Sequence, residues 1–142
     1  MKQSRGSLYL LDTNTVAYVL NGRSKAARRR LKGVGVDDRV AISAITEAEI
    51  RYGLEKKPEA ARWKQAVEDF LAAVEILPWD SDAARAYGAM RAAMSAHGKT
   101  LSAMDLLIAA HAAAVDATLV TSDKAFRFAK GVRECVNWAT DV

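Results

Sequence analysis

Ser7-Leu8-Tyr9-Leu10-Leu11-Asp12-Thr13-Asn14 joins a short apolar run to a polar cluster. The run has no helical period, so it predicts a β-strand buried on both faces, with an acid placed where the strand ends. Residues 39–43 (Arg-Val-Ala-Ile-Ser), 74–77 and 117–121 (Ala-Thr-Leu-Val-Thr) look alike, and 134–136 is a weaker fifth. Between these runs apolar residues return at helix spacing: Trp63, Val67, Phe70 and Leu71 make one stripe, and Ala83, Tyr87, Met90 and Met94 another. Strands alternating with helices predict an α/β fold whose central, mostly parallel sheet is covered on both faces. Pro58 and Pro78 fall in junctions, and the polar, Arg-rich residues 22–38 read as a helix plus loop at the rim.

Composition narrows the function classes. The chain has 142 residues, 51% of them hydrophobic, which suits one domain spanning 1–142 with a core of its own. Lys and Arg number 21 against 17 Asp and Glu, a net charge of +4, and this excess leans toward a polyanionic partner. The single Cys135 excludes an intramolecular disulfide and any Cys-rich zinc or iron–sulfur site, and so points to a reducing cytoplasm. Residues 2–7 are polar and the apolar run after them stops at Asp12, too short for a signal-peptide core or a membrane span. A soluble cytoplasmic protein is expected.

In a doubly wound parallel sheet the reacting groups gather at the carboxyl ends of the strands. Asp12 follows the first strand, Glu49 lies six residues beyond the second, where it is expected to begin the next helix, and Asp123 comes two residues after the fourth. Asp105 opens the very apolar helix that feeds the fourth strand. These four acids converge on one predicted rim. Carboxylates sharing a cleft repel one another, and the natural compensation is a hard divalent cation with oxygen ligands, magnesium or manganese. With only His97, His111 and Cys135 to hand, zinc is disfavoured. Each acid also has a purely structural reading: Thr46-Glu47-Ala48-Glu49 and Ser102-Ala103-Met104-Asp105 fit capping boxes, and Asp12 and Asp123 fit N-caps.

Four segments carry a more specific signal: Leu10-Leu11-Asp12-Thr13-Asn14, Ile42-Ser43-Ala44-Ile45-Thr46-Glu47-Ala48-Glu49-Ile50-Arg51-Tyr52-Gly53, Asp105-Leu106-Leu107-Ile108-Ala109-Ala110-His111-Ala112 and Leu119-Val120-Thr121-Ser122-Asp123. In this order they resemble the motifs of the PIN-domain family, specifically its VapC-like toxins, over about residues 8–138. The resemblance implies a three-layer α/β/α fold and a magnesium- or manganese-dependent endoribonuclease acting on RNA. It also implies a homodimer inhibited by a VapB-like antitoxin, and products with a 5′-phosphate and a 3′-hydroxyl. Carried over by position, Asp12, Glu49, Asp105 and Asp123 look like the catalytic and metal-holding acids, with Asn14 and Thr121 organising them. Glu47 falls where the family usually has an apolar residue, and on a helix it points about 200° from Glu49. It is left out. Ser102-Ala103-Met104 departs from relatives that often carry Gly, Pro or Asn before the Asp.

The remaining polar and aromatic residues read differently. His111, inside an Ala-rich apolar helix, is expected to pack; Trp63, Trp79 and Trp138 likewise; Arg51 is expected off the site. Arg28, Arg29 and Arg30 fit either a solvated helix face or a phosphate-contacting rim. Two rivals stand against the nuclease. Asp12-Thr13-Asn14-Thr15-Val16 is one substitution from the opening of haloacid-dehalogenase-like phosphatases, but Asn14 has no proton to shuttle where that chemistry needs an acid. A non-catalytic PIN-like binding module is the other, and the four intact acids argue against it.

Overall fold

The structure, a computed structural model, describes residues 6–57 and 60–140; Pro58 lies outside the described residues. All five runs expected as strands pair. β1 (Leu8–Leu11), β2 (Arg39–Ser43), β3 (Glu75–Leu77), β4 (Thr118–Val120) and β5 (Glu134–Val136) form one five-stranded sheet in the order β3-β2-β1-β4-β5, and every pairing is parallel. The register brings carboxyl ends level, with Leu11 opposite Val120 and Ser43 opposite Leu77. Helices α1 (Thr13–Asn21), α2 (Lys25–Lys32), α3 (Ala44–Lys56), α4 (Ala61–Ala73), α5 (Ser81–Ala96) and α6 (Ala103–Ala114) connect the strands, with a short 3₁₀ helix at Lys124–Phe128.

Successive strand residues point to opposite faces, and both faces are covered. Leu10, Ala41 and Leu119 meet Met90 and Met94 of α5 and Leu106, Ile108 and Ala109 of α6. Their neighbours Leu11, Ile42 and Val120 meet Val16 and Val19 of α1, Ala27 of α2, and Val67 and Leu71 of α4 on the other side. This is why the central strands read as continuous apolar runs, with each fully buried Leu or Ile worth about 1.5–3 kcal/mol. The result is a three-layer α/β/α sandwich.

Residues 22–38 do hold a helix and a loop. Gly22 ends α1 in the left-handed region, φ 72°, where a side chain would be strained. Over that end Arg28 lays its guanidinium, donating from Nε to the Val19 carbonyl at 2.7 Å and from Nη2 to the Leu20 carbonyl at 3.3 Å. A cation on the last carbonyls also complements the helix dipole.

Two expectations about α3 need correction. The helix starts at Ala44, directly off β2, because the Ser43 hydroxyl accepts the Ile45 amide at 3.1 Å and so caps it at once. Thr46 is therefore no cap, and Glu49 sits in the second turn and not at the helix start. Around Asp105 the capping reading holds in part: Ser102 is the N-cap of α6 and accepts the Asp105 amide at 3.2 Å. Strand order sets where ligands can bind. The chain leaves β1 toward β2 and β3, then returns to β4 on the other side of β1, so the crevice of the topological switch lies between the ends of β1 and β4.

Candidate active site

Asp12 stands at that switch point. It is 2% exposed and N-caps α1, its Oδ1 accepting the Thr15 amide at 2.8 Å. Its own amide donates to the Val120 carbonyl at 3.0 Å, which extends the β1–β4 ladder by one step. Burial pushes the Asp12 carboxyl above its ordinary range; hydrogen bonds from Thr121 and Thr15 oppose this, and the charge of Asp105 adds to it. Among the described residues no cation offsets the charge of this buried carboxylate, and Asp105 adds to it.

Glu49 reaches the same rim from α3. Thr13 donates its hydroxyl to Glu49 Oε1 at 2.6 Å, and the same hydroxyl lies 3.2 Å from Thr46 Oγ1. Thr46 and Glu49 are three residues apart on one helix, so they share a face. Sequence reasoning missed both threonines as site residues. That three-residue spacing, and the place of Thr13 directly after Asp12, were the available signals.

On the other flank, Thr121 is buried and joins two acids. Its hydroxyl serves Asp12 and accepts the Asp123 amide at 3.0 Å. Asp123 is exposed and its Oδ1 accepts the Ala125 amide at 2.9 Å, capping the 3₁₀ helix. Asp105 is half-buried in the first turn of α6 and close enough for its charge to bear on Asp12. Asn14 is exposed in the first turn of α1, and its side chain makes no hydrogen bond among the described residues. The structure thus ties Asp12, Asp105, Thr121 and Asp123 into one group, with Glu49 joined through Thr13 beside it.

A family model described as "PIN domain" matches residues 9–131. The chain belongs to the PIN-domain family. It is 33% identical over 116 residues to "Ribonuclease VapC2" of Rickettsia felis, covering 82% of this chain and 87% of that one. It is 32% identical over 126 residues to "tRNA(fMet)-specific endonuclease VapC" of Salmonella typhimurium, covering 88% and 94%. Among solved structures, VapBC2 from Rickettsia felis bound to a DNA fragment from its promoter superposes with a TM-score of 0.86 at 30% identity, covering 92% of this chain and 98% of that one.

In this PIN domain the oxygens gathered around Asp12 suit a hard divalent cation better than zinc. Among the described residues no group of three or more His, Cys, Asp or Glu side chains is arranged to hold a metal ion. An ion that keeps several of its waters and binds through one or two carboxylates needs no such group, so an open rim of acids fits it. The uncompensated Asp12 is the observation that favours such an ion.

The other residues of the PIN domain stand outside this rim. His111 is buried in α6 with Nδ1 2.8 Å from Ser43 Oγ, and burial lowers its pKa while Asp80 partly offsets that. It braces α6 against the end of β2. Arg51 pairs with Glu47 at 2.9 Å and Glu68 at 3.6 Å, away from Glu49. Trp79 donates Nε1 to the Leu107 carbonyl at 3.0 Å, Trp138 packs on Tyr9 with ring centroids 5.3 Å apart, and Trp63 is half-buried against the second core. Among the described residues no helix is long and apolar enough to cross a membrane.

Proposed function

We propose that this PIN domain is an endoribonuclease, the toxin of a toxin–antitoxin pair, hydrolysing RNA phosphodiester bonds with a carboxylate-held magnesium or manganese ion. The observation that carries the reading is Asp12: a buried, hydrogen-bonded carboxylate at the switch point, facing Asp105 with no counter-charge among the described residues. Ribonuclease names on relatives that cover most of the chain support the same reading.

In this mechanism Asp12, Asp105, Asp123 and Glu49 would hold the cation, one or two directly and the others through its waters, and Thr121 and Thr13 fix the rotamers of Asp12 and Glu49. When bound, the cation supplies Lewis acidity for the attacking water and charge compensation for the phosphoryl oxygens. Glu49, braced by Thr13, or the exposed Asp123 takes the proton through a water. Asn14, exposed beside Asp12, orients substrate or solvent. Products carry a 5′-phosphate and a 3′-hydroxyl. A VapB-like antitoxin restrains the enzyme, since an Arg from it can bridge the same acids bidentately. The enzyme acts as a cytoplasmic homodimer, and Arg29 and Arg30 of α2 contact phosphates, with Arg28 engaged at the end of α1.

The test is cleavage of RNA by purified chain in magnesium or manganese, beside a chelated control and a small phosphomonoester. RNA cleavage with no phosphomonoester turnover is expected. Phosphomonoester turnover alone would return the haloacid-dehalogenase-like reading, and neither activity would leave a binding module.

A further inference from the structure

Away from the acids, cations collect around an exposed ring. Phe128 closes the 3₁₀ helix that Asp123 caps and is 38% exposed. Lys99 Nζ lies 4.4 Å from its ring centroid and Arg127 Cζ 5.2 Å. With Lys130 and His97 they line a hollow of about 230 Å³ between the end of α5 and the 3₁₀ helix. A second hollow, of about 310 Å³, shares Met94 and Lys99 with the first and is lined as well by Arg91, Thr100, Ala103 and Leu106. Ala103 and Leu106, three residues apart, share one face of the first turn of α6. Among the described residues no acid lines either hollow. Among the described residues Lys99, Arg127 and Lys130 form no ion pair.

Like charges held together without a counter-ion repel, and a cation over an exposed ring is only a weak contact, so nothing within the chain repays this arrangement. A polyanion with flat π faces does. We infer that this track, Phe128 with Lys99, Arg127 and Lys130 and continuing past Arg91, is a base-stacking and phosphate-binding subsite for single-stranded RNA outside the acidic rim. A base stacks on the Phe128 ring, displacing one of the two cations onto an adjacent phosphate, and the strand runs along Lys99, which the two hollows share. The inference rests on the nuclease reading for the identity of the polyanion and adds a base-stacking subsite to it.

The experiment is fluorescence anisotropy with a short labelled single-stranded RNA of mixed sequence, in chelator so that nothing is cleaved, across a salt series. Phe128→Ala and Phe128→Leu are expected to loosen binding about tenfold while Phe128→Tyr keeps it, because stacking needs the ring. Replacing Lys99, Arg127 and Lys130 together with Gln should reduce the salt slope by about two, at about 0.7 for each phosphate contact on a single strand. Melting curves identify any variant that fails to fold, and Phe128→Leu, which keeps apolar volume without a ring, then decides. Unchanged affinity and slope in both sets overturn the inference, as does failure of the wild-type chain to bind RNA. So does a polyglutamate peptide that competes fully and is lost with Phe128→Ala while RNA affinity is kept, since the patch is then a protein surface. A wild-type chain that binds RNA through these residues but cleaves none in magnesium or manganese removes the nuclease reading and keeps the track.

Discussion

Thr13 holds Glu49 by a 2.6 Å hydrogen bond that crosses from α1 to α3. Thr13 follows Asp12 directly, so one turn of chain places one acid and orients another. Without its hydroxyl the Glu49 side chain regains rotamer freedom at the rim.

Thr13→Val keeps the branched shape and removes the donor. Single-turnover RNA cleavage is expected to slow about tenfold, the scale of losing one hydrogen bond to a charged group. Thr13→Ser should recover most of the rate. A Thr13→Val chain cleaving as fast as wild type would remove Glu49 from the machinery.

Asp12→Asn should separate activity from stability. Cleavage is expected to fall about a hundredfold or more, since loss of the cation's charge compensation costs several kcal/mol. The carboxyl of Asp12 is raised above its ordinary 3.8 by burial, so its stabilising contribution is complete below that value and is lost as pH rises through the folded pKa. Above the folded pKa the buried charge therefore costs the fold stability, and in chelator Asp12→Asn should melt no lower than wild type, and higher if packing is kept. Added manganese should raise the melting temperature of wild type and leave that of the variant unmoved. Equal rises in both would place the ion elsewhere.

His111 works in the opposite sense. Burial lowers its pKa from 6.5, with the Asp80 charge opposing, so the unfolded chain binds the proton more readily. Its contribution to stability is complete above 6.5 and is lost as pH falls below that value toward the folded pKa. Melting temperatures taken from about pH 8 to about pH 5 should drop more steeply for wild type than for His111→Asn, which can keep a donor near Ser43 without titrating. Parallel curves would show that His111 does not set the slope.

Arg28 and Arg30 should behave unlike each other. Arg28→Ala strips two hydrogen bonds from the end of α1 and is expected to cost about 1–2 kcal/mol in urea melts. Arg30→Ala on exposed α2 should stay within about 0.5 kcal/mol of wild type. It should also lower the salt slope of RNA binding by about 0.7. An unchanged slope would make Arg30 a solvated residue and nothing more.

Strands, layers and the sheet ends that bear acids were legible in the sequence because burial on two faces imposes a local pattern. Leu8 to Leu11 announces a central strand without knowledge of its neighbours, and Asp12 announces the strand's end. The ordered motifs then named the family, and the match to the PIN-domain model over residues 9–131 agrees with them.

Roles of individual polar groups were not legible in that way. Thr46-Glu47-Ala48-Glu49 reads as a capping box, yet Ser43 had already capped the helix, and that depends on β2 running into α3 without a loop. Arg28 reads as one of three equal arginines until the α1–α2 corner brings it over Gly22. Patterns of apolar residues determined the fold by themselves, since burial sums over many weak contacts and tolerates imprecision. Which hydroxyl orients which acid, and which cation is left unpaired around Phe128, was decided only by tertiary structure, because a hydrogen bond or an ion pair depends on a few tenths of an ångström between groups distant in the chain.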